Sequence, residues 1–501
     1  MDIQFAMSRF GFGHRETKHL IIDHDDELWL AGAPVISGGS IVSGGTGLPG
    51  ILRIEPLTNG DTVPFTYIAT EAFLDLTTGK GAKVMIAIDK DAQAIRITGD
   101  TPIRLNGSKA VMGMASLITT KGISLKAGGN RYLFTAKKGS ISFDDTWLLD
   151  KRHSAVPVLN IEPEGGSFEL CIYDLPPDIE VPIITKPFDE CIAENKASFR
   201  MFTDELVDIP AEWNDVKKKI AYVLWLCHRV LDGKEVVVEN KYNSRNTSAK
   251  QMAIASMPFK DVVKAIDMIT AYPADLPPVA ALAAARLLEE NMLNDSRGEI
   301  YRVYSALDMV ARKCINRRTV EPDGLSCYFY RFESGEDKSP EFFEAGEPVY
   351  APDLNAWLIL AGEVMSKLTS MEYDVGAEKK WDAYAKEMKT KLFAVLWDGE
   401  DFIGKNAYSG EVSGPDKLLS LVPLVLGSRL PGGIIRKLAR KIGSDISDSL
   451  TGLLIIGGLY DAGEKDAAKE ITLKTLESIR TEGIACPFYG AALLALAYKV
   501  L

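Results

Sequence analysis

Histidine is nearly missing from this 501-residue chain: His14, His19, His24, His153 and His228 are all there are, and only His228 lies in the C-terminal half. No His, Cys or Asp cluster stands at ligand spacing, so no metal site is expected, zinc least of all. Chemistry in the second half is expected to run on carboxylates. His228, in Leu226-Cys227-His228-Arg229-Val230, reads as a packed or helix-end residue on an amphipathic helix. The six cysteines (Cys171, Cys191, Cys227, Cys314, Cys327 and Cys486) form no C-x-x-C pair and no framework. Several lie in apolar runs, as reduced, buried thiols do. Positive charge is in deficit, with 57 Lys and Arg against 69 Asp and Glu and a formal net charge of −12. Nucleic acid and anionic membranes call for a basic face and are not expected partners. No apolar run reaches the ~18 residues of a membrane span. The opening MDIQFAMSRFGFGHRETK lacks the apolar core of a secretory signal. A cytoplasmic protein with a neutral small ligand and no cofactor is expected, and a homo-oligomer is compatible with the composition.

What is present divides by period. From about residue 19 to 185, short β-rich runs alternate with turn chemistry. Leu20-Ile21-Ile22 and Leu28-Trp29-Leu30 flank the acidic turn Asp25-Asp26. Val84-Met85-Ile86-Ala87-Ile88 and Ala94-Ile95-Arg96-Ile97 flank Asp89-Lys90-Asp91, and Phe168-Glu169-Leu170-Cys171-Ile172-Tyr173 alternates in polarity. That pattern predicts an antiparallel β-sandwich. The glycine-rich stretch 38–47 lacks the Gly-Lys-Ser/Thr ending of a phosphate cradle and reads as a loop.

Proline-spaced residues 174–188 mark the change of period. Beyond them apolar residues recur at helical spacing, as in Val216, Ile220, Val223, Leu224, Cys227 and Leu231 of the segment 213–231. Further helical stretches are expected near 259–271, 278–291, 303–315, 353–368, 379–396, 416–426, 432–442, 450–462, 465–480 and 488–500. Amphipathic helices joined by short loops suit an (α/α)6 toroid whose central mouth binds a ligand. The expected division is a β-sandwich over 1–190, a linker over 191–212 and a helical barrel over 213–501.

One polar loop stands out between two helical stretches: Tyr330-Arg331-Phe332-Glu333-Ser334-Gly335-Glu336-Asp337-Lys338-Ser339-Pro340. It is soon followed by Ala351-Pro352-Asp353-Leu354-Asn355-Ala356-Trp357. Asp353 opens the second helix, where a carboxylate serves as a cap for free N–H groups; a direct ligand contact is its other reading. Asn355 and Trp357 read as a helix-end amide and a core aromatic.

Glu333-Ser334-Gly335-Glu336-Asp337-Lys338-Ser339 resembles the Glu-Ser-Gly-x-Asp-x-Ser motif of trehalases and of the α-glucosidases of glycoside hydrolase family 63. Pro352-Asp353-Leu354-Asn355-Ala356 is similar to the Asp-Leu-Asn-Ala that opens the next helix in those enzymes. Asp275-Leu276-Pro277-Pro278, Pro322-Asp323-Gly324-Leu325 with Tyr328, and Leu396-Trp397-Asp398-Gly399 resemble further family segments, so the likeness runs from about 210 to 430. The resemblance implies an inverting glycosidase of the six-hairpin group acting on a small, α-linked, glucoside-like sugar. Asp337 would be the general acid, kept protonated by burial or by the negative charge of Glu333 and Glu336. A second carboxylate would activate water on the opposite face of the sugar, roughly 6.5–9.5 Å away.

The base falls late in these enzymes, and Glu482 is the only carboxylate in the corresponding stretch Arg480-Thr481-Glu482-Gly483-Ile484-Ala485-Cys486-Pro487-Phe488-Tyr489. The aromatic residue that precedes it in the relatives is missing; Glu411 is the fallback. A Trp-Asp pair that helps to hold the sugar is replaced by Tyr242-Asn243-Ser244-Arg245-Asn246-Thr247-Ser248-Ala249-Lys250-Gln251. From it Tyr242, Arg245, Asn246 and Gln251 are candidate sugar contacts, together with Tyr330, Glu333, Glu336, Asp353 and Tyr489. The Trp-Arg-Gly-Pro segment of the relatives is absent around 444–452. Two alternatives stay open: an inverting phosphorylase, with Arg480 and Thr481 toward phosphate, and a sugar-binding protein of this fold without turnover.

Overall fold

The computed structural model describes residues 11–31, 35–37, 40–42, 50–108, 115–119, 122–127, 130–144, 158–174, 184, 186–231, 234–237, 249–271, 276–293, 296–335, 341–372, 374–484 and 486–501. Most of the glycine-rich stretch 38–47, most of the proline-spaced linker, Tyr242, Arg245, Asn246, Asp275 and residues 336–340 lie outside them. The chain divides into two compact units, one of residues 1–204 and 221–246, the other of 205–220 and 247–501.

The first unit is the expected sandwich. One antiparallel sheet runs, in spatial order, Phe12–Gly13, Leu20–His24, Glu27–Leu30, Leu52–Thr58, Ile103–Gly107, Val158–Glu162 and Ser140–Asp144. The other runs Ala115–Thr119, Gly122–Ala127, Asn130–Lys138, Phe168–Asp174, Ala94–Gly99, Lys83–Asp89, Phe73–Thr78 and Phe65–Ala69. Alternation fixes which faces meet: Leu74, Leu76, Ile86, Ile95 and Ile97 of one sheet share a buried core with Ile21, Ile54, Ile103, Leu105 and Ile161 of the other. The acidic turn at Asp25-Asp26 has φ of 53° and 62° at its two residues, the backbone twist that a two-residue hairpin requires. Helix α1 (Phe188–Asp204) takes up much of the stretch expected as a linker, and Asn195 donates to the Ile88 carbonyl at 2.9 Å.

Helix α2 (Asn214–Cys227) ends one residue before His228, shorter than expected. His228 is therefore not helical: it pairs with Val237 in a two-stranded ladder, which takes the backbone hydrogen bonds that a longer helix would have used. All six cysteines are free thiols, and burial raises Cys171 and Cys327 to about 11 and Cys191 and Cys314 to about 12. No helix among the described residues is long and apolar enough to cross a membrane.

In the second unit the helices are α3 (Ala249–Ser256), α4 (Val262–Thr270), α5 (Ala280–Glu289), α6 (Arg297–Arg317), α7 (Pro352–Met371), α8 (Val375–Leu396), α9 (Gly432–Ala439), α10 (Leu450–Asp461), α11 (Lys465–Glu482) and α12 (Pro487–Val500). A 3-10 segment, Val422–Arg429, stands where an α-helix over 416–426 was expected; Gly427 inside it has φ of 56° and breaks the helical run. Sequence composition sorts inner from outer. The segments α7, α10 and α12 are buried along nearly their whole length. By contrast α6 buries one stripe, Ile300, Val303, Ala306, Leu307, Val310, Ala311 and Cys314, as an outer helix does. The inner segments touch in the order α3, α5, α7, Val422–Arg429, α10, α12 and back to α3, which closes a ring of six. The ring is tight: a Cβ on Gly458 would lie 2.1 Å from the Leu424 carbonyl oxygen.

The sequence did not reveal α3 or a small antiparallel sheet of Thr319–Val320, Leu325–Tyr328, Val349–Tyr350, Gly404–Asn406 and Val412–Ser413. This sheet supports the connection between α6 and α7, which carries the acidic motif.

Candidate functional site

The first turns of four inner helices converge. Lys250, in the first turn of α3, donates to Thr451 Oγ1 in the first turn of α10 at 2.9 Å. Tyr489, in the first turn of α12, donates to the Ser447 carbonyl just before α10 at 2.5 Å. Asp353, in the first turn of α7, feels the Lys250 charge. A Cβ on Gly335 would lie 3.6 Å from Lys250 Nζ, so the turn that opens the acidic motif meets the same lysine. Outer helices lead into inner helices at this end, including the connection that carries the motif and the one that follows Glu482.

Ala351 is the N-cap of α7; Asp353, in the first turn, keeps its carboxylate by the N–H groups of Leu354 and of its own residue. The carboxylate is also turned inward and is 2% exposed. Its Oδ2 accepts from the buried Tyr328 hydroxyl at 2.8 Å, while Oδ1 is sealed from solvent and no hydrogen bond reaches it. Burial raises Asp353 to about 6 against the opposing pull of the Tyr328 hydroxyl, the Leu354 N–H and Lys250. Burial and the Asp353 charge hold the Tyr328 phenol well above its ordinary range, so it stays a donor.

Asn355 fixes the strand beneath. It accepts from Ser326 N at 3.0 Å and donates to the Ser326 and Ala351 carbonyls at 2.9 and 2.8 Å. Trp357 is a core aromatic, as read. Glu333 is committed to holding the motif's backbone. It meets Arg318 through both oxygens at 2.6 Å and accepts from Phe329 N at 2.8 Å and Tyr330 N at 3.3 Å. This is a paired, hydrogen-bonded carboxylate in an anchoring role. Tyr330 is 54% exposed and stacks on Phe332, a residue that sequence reasoning passed over; the only signal for it was an aromatic two residues away.

Of the other expected residues, Gln251 is half-buried on α3 beside Lys250, and Tyr489 is half-buried at the rim. Glu336 and Asp337 lie outside the described residues, as do Tyr242, Arg245 and Asn246. Glu482 is exposed on the last turn of α11, with the Ser478 hydroxyl 3.4 Å away on the same helix. Glu411 is exposed too. Arg480 is taken: it bonds to both oxygens of Asp215 at 2.9 and 3.0 Å and lies 4.2 Å over the Trp213 ring. Thr481 bonds to carbonyls of its own helix. In the sequence Lys250 is one residue of a polar stretch; only the ring brings it to the distant helix end at Thr451. No group of three His, Cys, Asp or Glu side chains that could hold a metal occurs among the described residues.

Residues 247–446 match the mannosylglycerate hydrolase MGH1-like glycoside hydrolase domain. The match includes Lys250, the acidic motif and Asp353, and stops short of Glu482. No curated protein matches the sequence. In fold the chain is similar to a family 92 inverting mannosidase from Bacteroides thetaiotaomicron, at 9% identity and a TM-score of 0.54 over 99% of this chain and 83% of that one. A family 92 α-mannosidase from the same organism gives 10% identity and a TM-score of 0.54 over 99% and 82%. A family 63 mannosylglycerate hydrolase from Thermus thermophilus, in complex with glucose, is 17% identical over 45% of this chain and 75% of its own, with a TM-score of 0.39. The helical unit is thus similar, over residues 247–446, to a glycoside hydrolase domain, and the sandwich-plus-helices architecture is similar to that of the family 92 structures.

Proposed function

We propose that this chain is an inverting glycoside hydrolase acting in the cytoplasm on a small, α-linked mannoside or glucoside. One observation carries the reading. The N-terminal turns of α3, α7, α10 and α12 meet at Lys250 and Asp353, beside the turn that opens the Glu-Ser-Gly-x-Asp-x-Ser motif. Mannose enters because the matched domain is named for a mannosylglycerate hydrolase and the fold neighbours for mannosidases. In the reaction Asp337 donates its proton to the leaving oxygen as the glycosidic bond breaks. A second carboxylate removes a proton from water, which attacks the anomeric carbon from the opposite face and inverts it. Glu482 is the candidate for that base and Glu411 the fallback. Asp353 and Lys250 lie under the rim and hold the motif and the helix ends in register.

The test is to incubate the protein with α-mannosides and α-glucosides, mannosylglycerate included, and follow the first sugar released by proton NMR. β-Anomer as the initial product, with a loss of at least about 10²-fold in Asp337→Asn, is the expected result. α-Anomer first would mean retention. Glucose or mannose 1-phosphate formed only with inorganic phosphate would mean a phosphorylase, which the engagement of Arg480 by Asp215 disfavours. The exposure of Glu482 is what favours a second reading, a sugar-binding protein without turnover. Binding of the same glycosides with no product, and no change in Asp337→Asn, would establish it.

A further inference from the structure

Tyr330 and Phe332 bracket the short 3-10 turn Arg331–Ser334 at its start, next to the anchored Glu333. Their rings are parallel to within 3° at a centroid separation of 5.4 Å, and they are 54% and 66% exposed. The turn that carries them is held from several sides. Arg318 grips Glu333 through two bonds of 2.6 Å, Glu333 accepts two backbone N–H groups, and Arg331 N donates to Glu347 at 2.7 Å. Two flat apolar faces are thus kept in water on a fixed backbone, although each would gain free energy by burial.

We propose that Tyr330 and Phe332 form a stacking platform for a second pyranose ring of the substrate, on the leaving-group side of the bond that is cut. A pyranose presents one face of C–H groups, which packs on an aromatic face as an apolar surface, and its slightly positive hydrogens meet the negative π cloud. Its hydroxyls stay at the edge, where the Tyr330 hydroxyl, Arg331 and Glu347 supply donors and acceptors. The side follows from the chemistry: the general acid must stand next to the leaving oxygen, and the platform belongs to the turn that leads into the acid's motif. Two rings are far too small for a protein partner, whose interface needs on the order of 1,000 Å². The inference rests on the glycosidase reading and narrows it, for the substrate becomes a disaccharide or a longer glycoside.

The experiment compares an α-linked mannobiose with methyl α-mannoside on the full chain, as wild type, Phe332→Ala, Tyr330→Ala/Phe332→Ala and Phe332→Trp. The ratio of kcat/KM for mannobiose to that for the methyl glycoside should fall about tenfold in Phe332→Ala, mainly through KM, and recover in Phe332→Trp. An equal change for both substrates, or none, overturns the proposal. If the wild type cleaves neither sugar, the glycosidase reading is what fails, and the platform is judged by binding. Saturation transfer from aromatic protons to the C–H face of mannobiose, lost in the double variant, then sustains it, and no transfer in the wild type overturns it. A wild-type dimer that Phe332→Ala dissociates would assign the rings to self-association and overturn it too.

Discussion

The Tyr328 hydroxyl donates to Asp353 Oδ2 at 2.8 Å inside the protein, and the carboxylate's other oxygen has no partner. A carboxyl held near 6 when folded and near 3.8 when unfolded makes stability depend on pH. Between those values the folded protein keeps a proton that the unfolded chain has released. Stability from this group is therefore present in full below about pH 4, declines as pH rises toward 6, and stays lost above it. The difference is on the order of 3 kcal/mol. Asp353→Asn, which can still accept from Tyr328, should raise Tm at pH 7.5 and change it little at pH 4. Calorimetry at the two pH values checks this, and an equal shift at both would refute the assignment.

Glu333 and Arg318 form a nearly buried bidentate pair, with side chains 12% and 11% exposed. Removing one partner strands the other's charge. Glu333→Gln should cost about 3 kcal/mol in urea unfolding, and Arg318→Met a similar amount. Arg318→Met/Glu333→Met should cost clearly less than the two together. Additive losses would mean that the pair is not coupled.

Asn355 satisfies both backbone groups of Ser326 with one side-chain amide. Asn355→Leu is close in size but leaves a buried N–H and C=O unpaired, and should destabilise by about 2–4 kcal/mol. Asn355→Ala should do no better. A thermal melt within a degree of wild type for either variant would contradict this bracing role.

Two adjacent glycines in α10 should respond in opposite directions. A Cβ at Gly458 would meet the Leu424 carbonyl oxygen at 2.1 Å, whereas one at Gly457 would lie an ordinary 3.7 Å from Leu496 Cδ1. Gly458→Ala should cost about 2–3 kcal/mol by forcing inner segments apart. Gly457→Ala should be neutral or stabilising by up to about 1 kcal/mol, through helix propensity alone. Denaturant midpoints for the two variants settle the comparison.

Much of this was legible in the sequence because it is written in local periods. The strands around Asp25-Asp26 and Asp89-Lys90-Asp91, and the helical stripe of α6, follow from side-chain alternation within a few residues. The small sheet under the acidic motif leaves no periodic signal, because its strands are two to four residues long. His228 was placed on a helix because apolar spacing continues past Cys227; a partner strand at Val237 took over its backbone. Asp353 shows the sharpest limit. Sequence places a carboxylate at a helix start, but only the fold shows that, besides the N–H groups there, it meets a buried phenol. Lys250 has the same lesson, since its partner Thr451 sits on a helix far away in sequence.

Arg480 reaches back across 265 residues to Asp215, and Lys219 donates to the Arg480 carbonyl at 2.7 Å. This clasp joins the start of α2 to the end of α11, an early helix to a late one. Neighbouring helices can pack as they emerge, but the contact of α3 with α12 and the α2–α11 clasp wait until α11 and α12 have left the exit tunnel. Such late closure slows folding and lengthens exposure to aggregation and to chaperones. It also means that a stop codon ahead of α11 would remove far more than its share of the structure: the nascent helices would have nothing to close upon.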